Sequence, residues 1–194
     1  MRLLSICLAA LVLAFTGASA ADSAPGKVTG GEAYSLPPWF KMSFLDFPAE
    51  VEQAREQGKH VMVFLHLDNC PYCARMLREN FVSGDNRQFM EKHFDVIAVN
   101  VEGSLEVKWT DGRTYTEKTL ARHLNMVGTP TIVFLNTNGD NVLQLTGYRD
   151  PRAFRRALDH VQTKGYTSRP FSASVPAGEE PEVHAFRYRP RLSG

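Results

Sequence analysis

Val61-Met62-Val63-Phe64-Leu65-His66-Leu67 is a run of β-branched and large apolar residues, followed by Asp68-Asn69 and then Cys70-Pro71-Tyr72-Cys73. The run reads as a strand buried on both faces. Asp68-Asn69 makes a short polar turn, and Ala74 to Phe81 takes up helical spacing. A buried strand therefore delivers two cysteines to the first turn of a helix. Unpaired backbone N–H groups at such a terminus favour negative charge and stabilise a thiolate, so the junction is a place for thiol chemistry.

The chain carries three cysteines, and the third, Cys7, lies in an N-terminal leader. Arg2 supplies positive charge, Leu3 to Phe15 is an apolar stretch short for a membrane anchor, and Ala18-Ser19-Ala20 is a cleavage signal. Residues 1–20 are expected to be a signal peptide cleaved after Ala20, giving an exported, periplasmic protein with no stable membrane insertion. Cys7 sits inside the apolar run, which disfavours a lipoprotein. Cys70 and Cys73 remain. A bridge across two intervening residues closes almost no loop and stabilises a fold little, so the pair points to reactivity. A zinc site would need two more Cys or His ligands at matching spacing, and His60 and His66 are poorly spaced for that. The expected metal content is none, and no cofactor is implied. A formal net charge of +1 gives no electrostatic case for nucleic acid or an anionic membrane surface.

Residues 21–38 are small, polar and punctuated by Gly and Pro, and read as a flexible lead-in. Trp39, Phe40 and Phe44 are expected to pack on the domain edge. Pro48 to Gln57 reads as a helix capped by Gly58. After the Cys70 helix, turn residues from Asn80 to Asp85 predict a break or kink, and Asn86 to His93 a second helical piece with Phe89 and Met90 inward. Phe94 to Val101 is a second buried strand, so the crossover makes a βαβ unit with parallel pairing. Asp111-Gly112, between Val107–Thr110 and Arg113–Tyr115, signals a hairpin. A helix is expected from Thr116 to about Met126, with Leu120, Leu124 and Val127 on one face. Gly128-Thr129-Pro130 precedes a third strand, Thr131 to Leu135, and Asn141 to Leu145 alternates like its antiparallel partner. Asp150 caps a last helix from Pro151 to about Lys164, with Phe154, Leu158 and Val161 buried. The expected fold is α/β, a mixed four- to five-stranded sheet flanked by helices on both faces. One domain is expected over residues 39–164, with a loose tail over 165–194.

From Phe40 to Thr163 the chain resembles the thioredoxin superfamily, on Cys70-Pro71-Tyr72-Cys73 at a strand-to-helix junction and on Gly128-Thr129-Pro130-Thr131 opening a strand. Its leader, its Cys-Pro-Tyr-Cys motif and the insert around Asn100-Val101-Glu102-Gly103 and Asp111-Gly112 resemble exported thioredoxins of the SoxW-like type. The resemblance implies a thioredoxin-like fold and a cis bond at Pro130. It implies a thiol–disulfide oxidoreductase with Cys70 and Cys73 catalytic and paired as a disulfide, Cys70 being the more exposed nucleophile and Cys73 the resolving thiol. Pro71, Tyr72, Thr129 and Pro130 would contact substrate, the last two as a floor that pairs with an extended peptide. In cytoplasmic thioredoxins a buried Asp sits six residues before the first cysteine, and here that position is Phe64. A proton acceptor for Cys73 would be water or Glu102, with His66 and Asp68 as further possibilities. His66 reads better as a satisfied core histidine and Asp68 as a turn residue.

The function so implied is periplasmic reduction of disulfides in exported partner proteins by a monomer, with electrons from a membrane thiol donor. Oxidase or isomerase activity is the alternative, since Cys-Pro-Tyr-Cys also occurs in glutaredoxins. A binding module that uses the fold without turnover is a third reading.

Overall fold

The computed structural model describes residues 33–171. The expected signal peptide, most of the lead-in and most of the tail lie outside the described residues. The elements run α1 (Phe47–Glu56), β1 (His60–His66), α2 (Pro71–Met76), a π turn (Leu77–Phe81), α3 (Gly84–His93), β2 (Phe94–Asn100), β3 (Glu106–Lys108), β4 (Thr114–Thr116), α4 (Glu117–His123), β5 (Thr131–Leu135), β6 (Asn141–Thr146) and α5 (Pro151–Gln162). A 3-10 turn, Gly165–Thr167, follows. No helix among the described residues is long and apolar enough to cross a membrane.

Four strands form one mixed sheet in the order β2-β1-β5-β6, and β3 and β4 form a separate two-stranded sheet. β1 pairs parallel with β2 and antiparallel with β5, and β5 pairs antiparallel with β6. Every residue of β1 and β5 is buried, as expected of central strands whose apolar residues leave no phase for water. Phe64 stands opposite Ala98 of β2 and Ile132 of β5. On that face its ring meets Phe81 of the π turn at 5.4 Å, and Phe81 stacks on Phe154 of α5 at 5.5 Å. Burying such a side chain contributes about 1.5–3 kcal/mol. α1 packs against β1 and α4 against β2.

Local chemistry explains the boundaries. Asp46 caps α1 by accepting from Ala49 N–H, and Gly58, at φ +69°, ends it by donating to the Arg55 carbonyl. Asp150 caps α5 by accepting from Arg152 and Ala153 N–H. The break expected over Asn80 to Asp85 falls at Val82-Ser83, and it is preceded by the π turn, where Val82 N–H reaches the Leu77 carbonyl. Buried Asn80 secures it, donating to the Arg149 carbonyl and accepting from Asn86.

Two expectations about packing need correction. Phe44 does not pack on the domain edge and is fully exposed. Leu45, at φ +58°, turns inward in its place, and its N–H donates to Ser43 Oγ. Val127 is 67% exposed rather than on the buried face of α4. α4 ends at His123, Asn125 takes a left-handed φ of 50°, and the chain leaving it turns Met126 inward instead.

The start of the parallel pair carries an ionic lock. Asp95 of β2 pairs with Lys41 at 2.9 Å and Lys59 at 3.1 Å, and Lys41 reaches Glu50 at 2.7 Å. Burial lowers the Lys41 pKa, but the hydrogen bonds to Glu50 and Asp95 outweigh it and leave the group above its ordinary value.

Candidate active site

β1 ends at His66, and the loop Leu67–Asn69 turns the chain into α2. Asn69 adopts φ +56°, a conformation that Asn tolerates better than most residues. Cys70 is the N-cap of α2, in extended conformation, and its sulfur accepts the Cys73 N–H at 3.1 Å. Pro71 at the first helical position removes one N–H that would otherwise lack a partner. A disulfide joins Cys70 and Cys73, whose Cα atoms are 5.2 Å apart. Cys70 is 2% exposed and Cys73 fully buried, so the sulfur expected nearer solvent is barely open in the oxidised protein.

Thr129 meets the disulfide from just ahead of β5, 59 residues from Cys70 in sequence. Thr129 Oγ1 lies 3.4 Å from Cys70 Sγ, and since a disulfide sulfur carries no proton the hydroxyl is the donor. The Thr129–Pro130 bond is cis. The Pro130 carbonyl accepts Gly147 N–H at 2.7 Å, and Thr131 Oγ1 donates to the Gly128 carbonyl at 2.7 Å, fixing this corner from both sides. Pro71 and Tyr72 are partly buried on α2, Tyr72 packing against the core.

The surroundings of the cysteines divide as the residue types suggested. Phe64, where cytoplasmic thioredoxins carry an acid, is wholly buried. His66 stacks on it at 5.8 Å and 16°, and its Nδ1 lies 2.7 Å from the Tyr34 hydroxyl. Burial chiefly lowers the His66 pKa, against a smaller opposing pull from Asp68. The ring is thus a core histidine whose Nδ1 has a hydrogen-bond partner. Asp68 is exposed and accepts from Asn100 at 3.3 Å, as a turn residue does. Glu102 is exposed, on a turn where its N–H donates to Asn100 Oδ1.

Two further residues build this end, and the sequence reading singled out neither. Tyr34 arrives from the lead-in. Glu117, buried at the start of α4, accepts Asn100 N–H at 3.1 Å and Leu105 N–H at 3.2 Å, holding the segment beyond β2. A Cβ on Gly103 would come within 1.8 Å of the Glu117 carboxylate, so a side chain there would displace that carboxylate from its two N–H partners. Among the described residues no group of three or more His, Cys, Asp or Glu could hold a metal ion.

The arrangement can close and open one disulfide against a partner's thiols, and that places the molecule in a class, the thioredoxin-fold disulfide-exchange proteins. The family model for the thioredoxin-like domain matches residues 47–162, and the chain belongs to that family. Among curated proteins it is 31% identical over 168 residues to the thiol:disulfide interchange protein DsbD of Tatumella citrea. The match takes in 84% of this chain but only 27% of that protein's length. A solved thioredoxin-fold protein from Helicobacter pylori superposes with a TM-score of 0.53 at 22% identity, over 58% of this chain and 74% of the other. A thioredoxin from Thermus thermophilus superposes with a TM-score of 0.49 at 30% identity, over 62% and 86%.

Proposed function

We propose that the chain is a periplasmic reductant of disulfides in exported proteins, with Cys70 as nucleophile and Cys73 as resolving thiol. The observation that carries this reading is the Cys70–Cys73 disulfide at the N-cap of α2, with the Thr129 hydroxyl against Cys70 Sγ. In the reduced protein the Cys70 thiolate attacks one sulfur of a substrate disulfide. A mixed disulfide forms and the other substrate sulfur leaves as thiolate. The Cys73 thiolate then attacks Cys70 Sγ, forming the internal disulfide and releasing the second substrate thiolate. Two electrons pass to the substrate, and the two protons released by the cysteines balance those its thiolates take up. Thr129, Pro130, Pro71 and Tyr72 make the surface on which an extended substrate backbone lies. Phe64 offers no acid, so the Cys73 proton passes to water or to Glu102.

The leader at residues 1–20 supports export. The likeness to an interchange protein supports exchange partners that themselves carry disulfides, with a membrane thiol donor restoring the dithiol. Equilibrating the full mature chain with glutathione and dithiothreitol buffers tests the direction. A potential near about −270 mV supports a reductant, and one near about −120 mV makes the protein an oxidant and overturns the assignment.

A further inference from the structure

The Tyr34 hydroxyl sits within hydrogen-bonding distance of two groups at the end of β1, His66 Nδ1 at 2.7 Å and the Leu67 carbonyl oxygen at 2.5 Å. One O–H can donate only once. The carbonyl has no proton to give, so the hydroxyl donates to it and accepts from the ring. His66 is therefore the tautomer with its proton on Nδ1. The two rings also meet edge to face at 5.8 Å and 68°. Tyr34 is half-buried and lies 13 residues ahead of the matched family segment, which begins at residue 47.

The place it grips matters more than the bonds themselves. Leu67 is three residues before Cys70, and the intervening Asp68 and Asn69 are exposed. The loop's other holds are the Val101 N–H on the His66 carbonyl at 2.9 Å and Asn100 on Asp68 at 3.3 Å. Both come from the β2 side. Tyr34 supplies a separate tie, and both of its partners flank the Leu67 amide. A shift of that peptide passes along two residues of loop to the Cys70 N-cap.

We propose that Tyr34, through His66 and the Leu67 carbonyl, is a positioning residue for the Cys70–Cys73 couple, so that a segment outside the family domain tunes its redox equilibrium. The inference rests on the disulfide-exchange reading above. The tie is formed with the disulfide closed, and on this proposal it holds the closed form more strongly than the dithiol, so that its loss favours the dithiol. Tyr34→Phe removes the hydroxyl and keeps the ring against His66. In the full mature chain the ratio of disulfide to dithiol, measured against glutathione and followed by alkylation, should fall about three- to tenfold. The thermal unfolding midpoint is recorded alongside. A purely structural tyrosine would lower that midpoint and leave the ratio in place. An unchanged ratio, or one moved toward disulfide, therefore overturns the inference whatever the midpoint does. A wild-type chain that forms no reversible internal disulfide would overturn the functional reading instead, so the two failures are distinguishable.

Discussion

The two ends of the parallel β1–β2 pair are built from different chemistry. Where the strands begin, beside Val61 and its partner Asp95, Lys41, Lys59, Glu50 and Asp95 make a partly buried ionic lock. Where they finish, beside His66 and its partner Asn100, the ties are a tyrosine hydroxyl, an imidazole, an asparagine amide and backbone N–H groups. The one buried carboxylate among these ties, Glu117, is committed to two backbone N–H groups. A charge pair tolerates small displacements because its attraction falls slowly with distance, whereas a hydrogen bond holds direction. The ionic end thus fixes the frame, and the hydrogen-bonded end fixes the geometry of the sulfurs. Reactivity and stability should therefore be separable by mutation.

The largest expected effect lies at the sulfurs. Cys70→Ser should abolish disulfide exchange, and Cys73→Ser should accumulate a mixed disulfide and slow turnover by roughly 10³-fold or more. A non-reducing gel of each variant incubated with a disulfide-bearing protein reads both. At the opposite end, Asp95→Ala leaves two lysines without their shared partner. Lys41 and Lys59 keep 24% and 23% of their side-chain surface in water. The loss, read by urea unfolding, should therefore be about 1–2 kcal/mol, below that of a fully buried pair. The disulfide equilibrium should stay within twofold of wild type (about 0.4 kcal/mol). A parallel shift in both would break the division between the two ends. Thr129→Val sharpens it from the other side, removing only the hydroxyl beside Cys70 Sγ. Exchange should slow about three- to fivefold with little change in stability.

The smallest effect concerns a pair that joins the π turn to the segment beyond β6. Tyr148 donates to Glu79 while the Arg75 guanidinium lies 4.0 Å over its ring. Burial first, and then the bond to Glu79, push the Tyr148 pKa up to about 12. Burial works to raise Glu79, but the Tyr148 and Arg75 hydrogen bonds outweigh it and hold the carboxyl below its ordinary value. A raised tyrosine stabilises the fold below its unfolded pKa, near 10, and that stability drains as pH climbs toward 12. A depressed glutamate stabilises above its unfolded pKa, and that contribution is lost as pH falls through the folded value. Tyr148→Phe should flatten the decline of the unfolding midpoint above pH 10. An unchanged alkaline limb would remove the pair from the account.

What could be read from residues alone follows the range of the interaction. Continuous apolar runs gave away β1, β2 and β5, Asp111-Gly112 marked the β3–β4 turn, and Asp150 marked the start of α5. Each depends on neighbours within a few positions. Phe44 and Val127 misled for a related reason. Phe44 was placed by its aromatic bulk and Val127 by its phase with Leu120 and Leu124, but the left-handed residues Leu45 and Asn125 rotate the chain nearby and turn Leu45 and Met126 inward instead. The cysteines were legible because their residue type is chemically particular, and Thr129-Pro130 through the resemblance to the thioredoxin superfamily. Tyr34 and Glu117 were not. Tyr34 meets its partners 32 and 33 positions along, and Glu117 serves backbone atoms that any residue could present.

In the proposed exchange Cys70 is the reactive sulfur and Cys73 waits behind it. The reduced full chain should be treated with substoichiometric iodoacetamide at neutral pH and the label located by peptide mass spectrometry. The account predicts label on Cys70 in excess of Cys73 by about tenfold or more. Equal labelling, or label concentrated on Cys73, would contradict the assignment of nucleophile and resolving thiol.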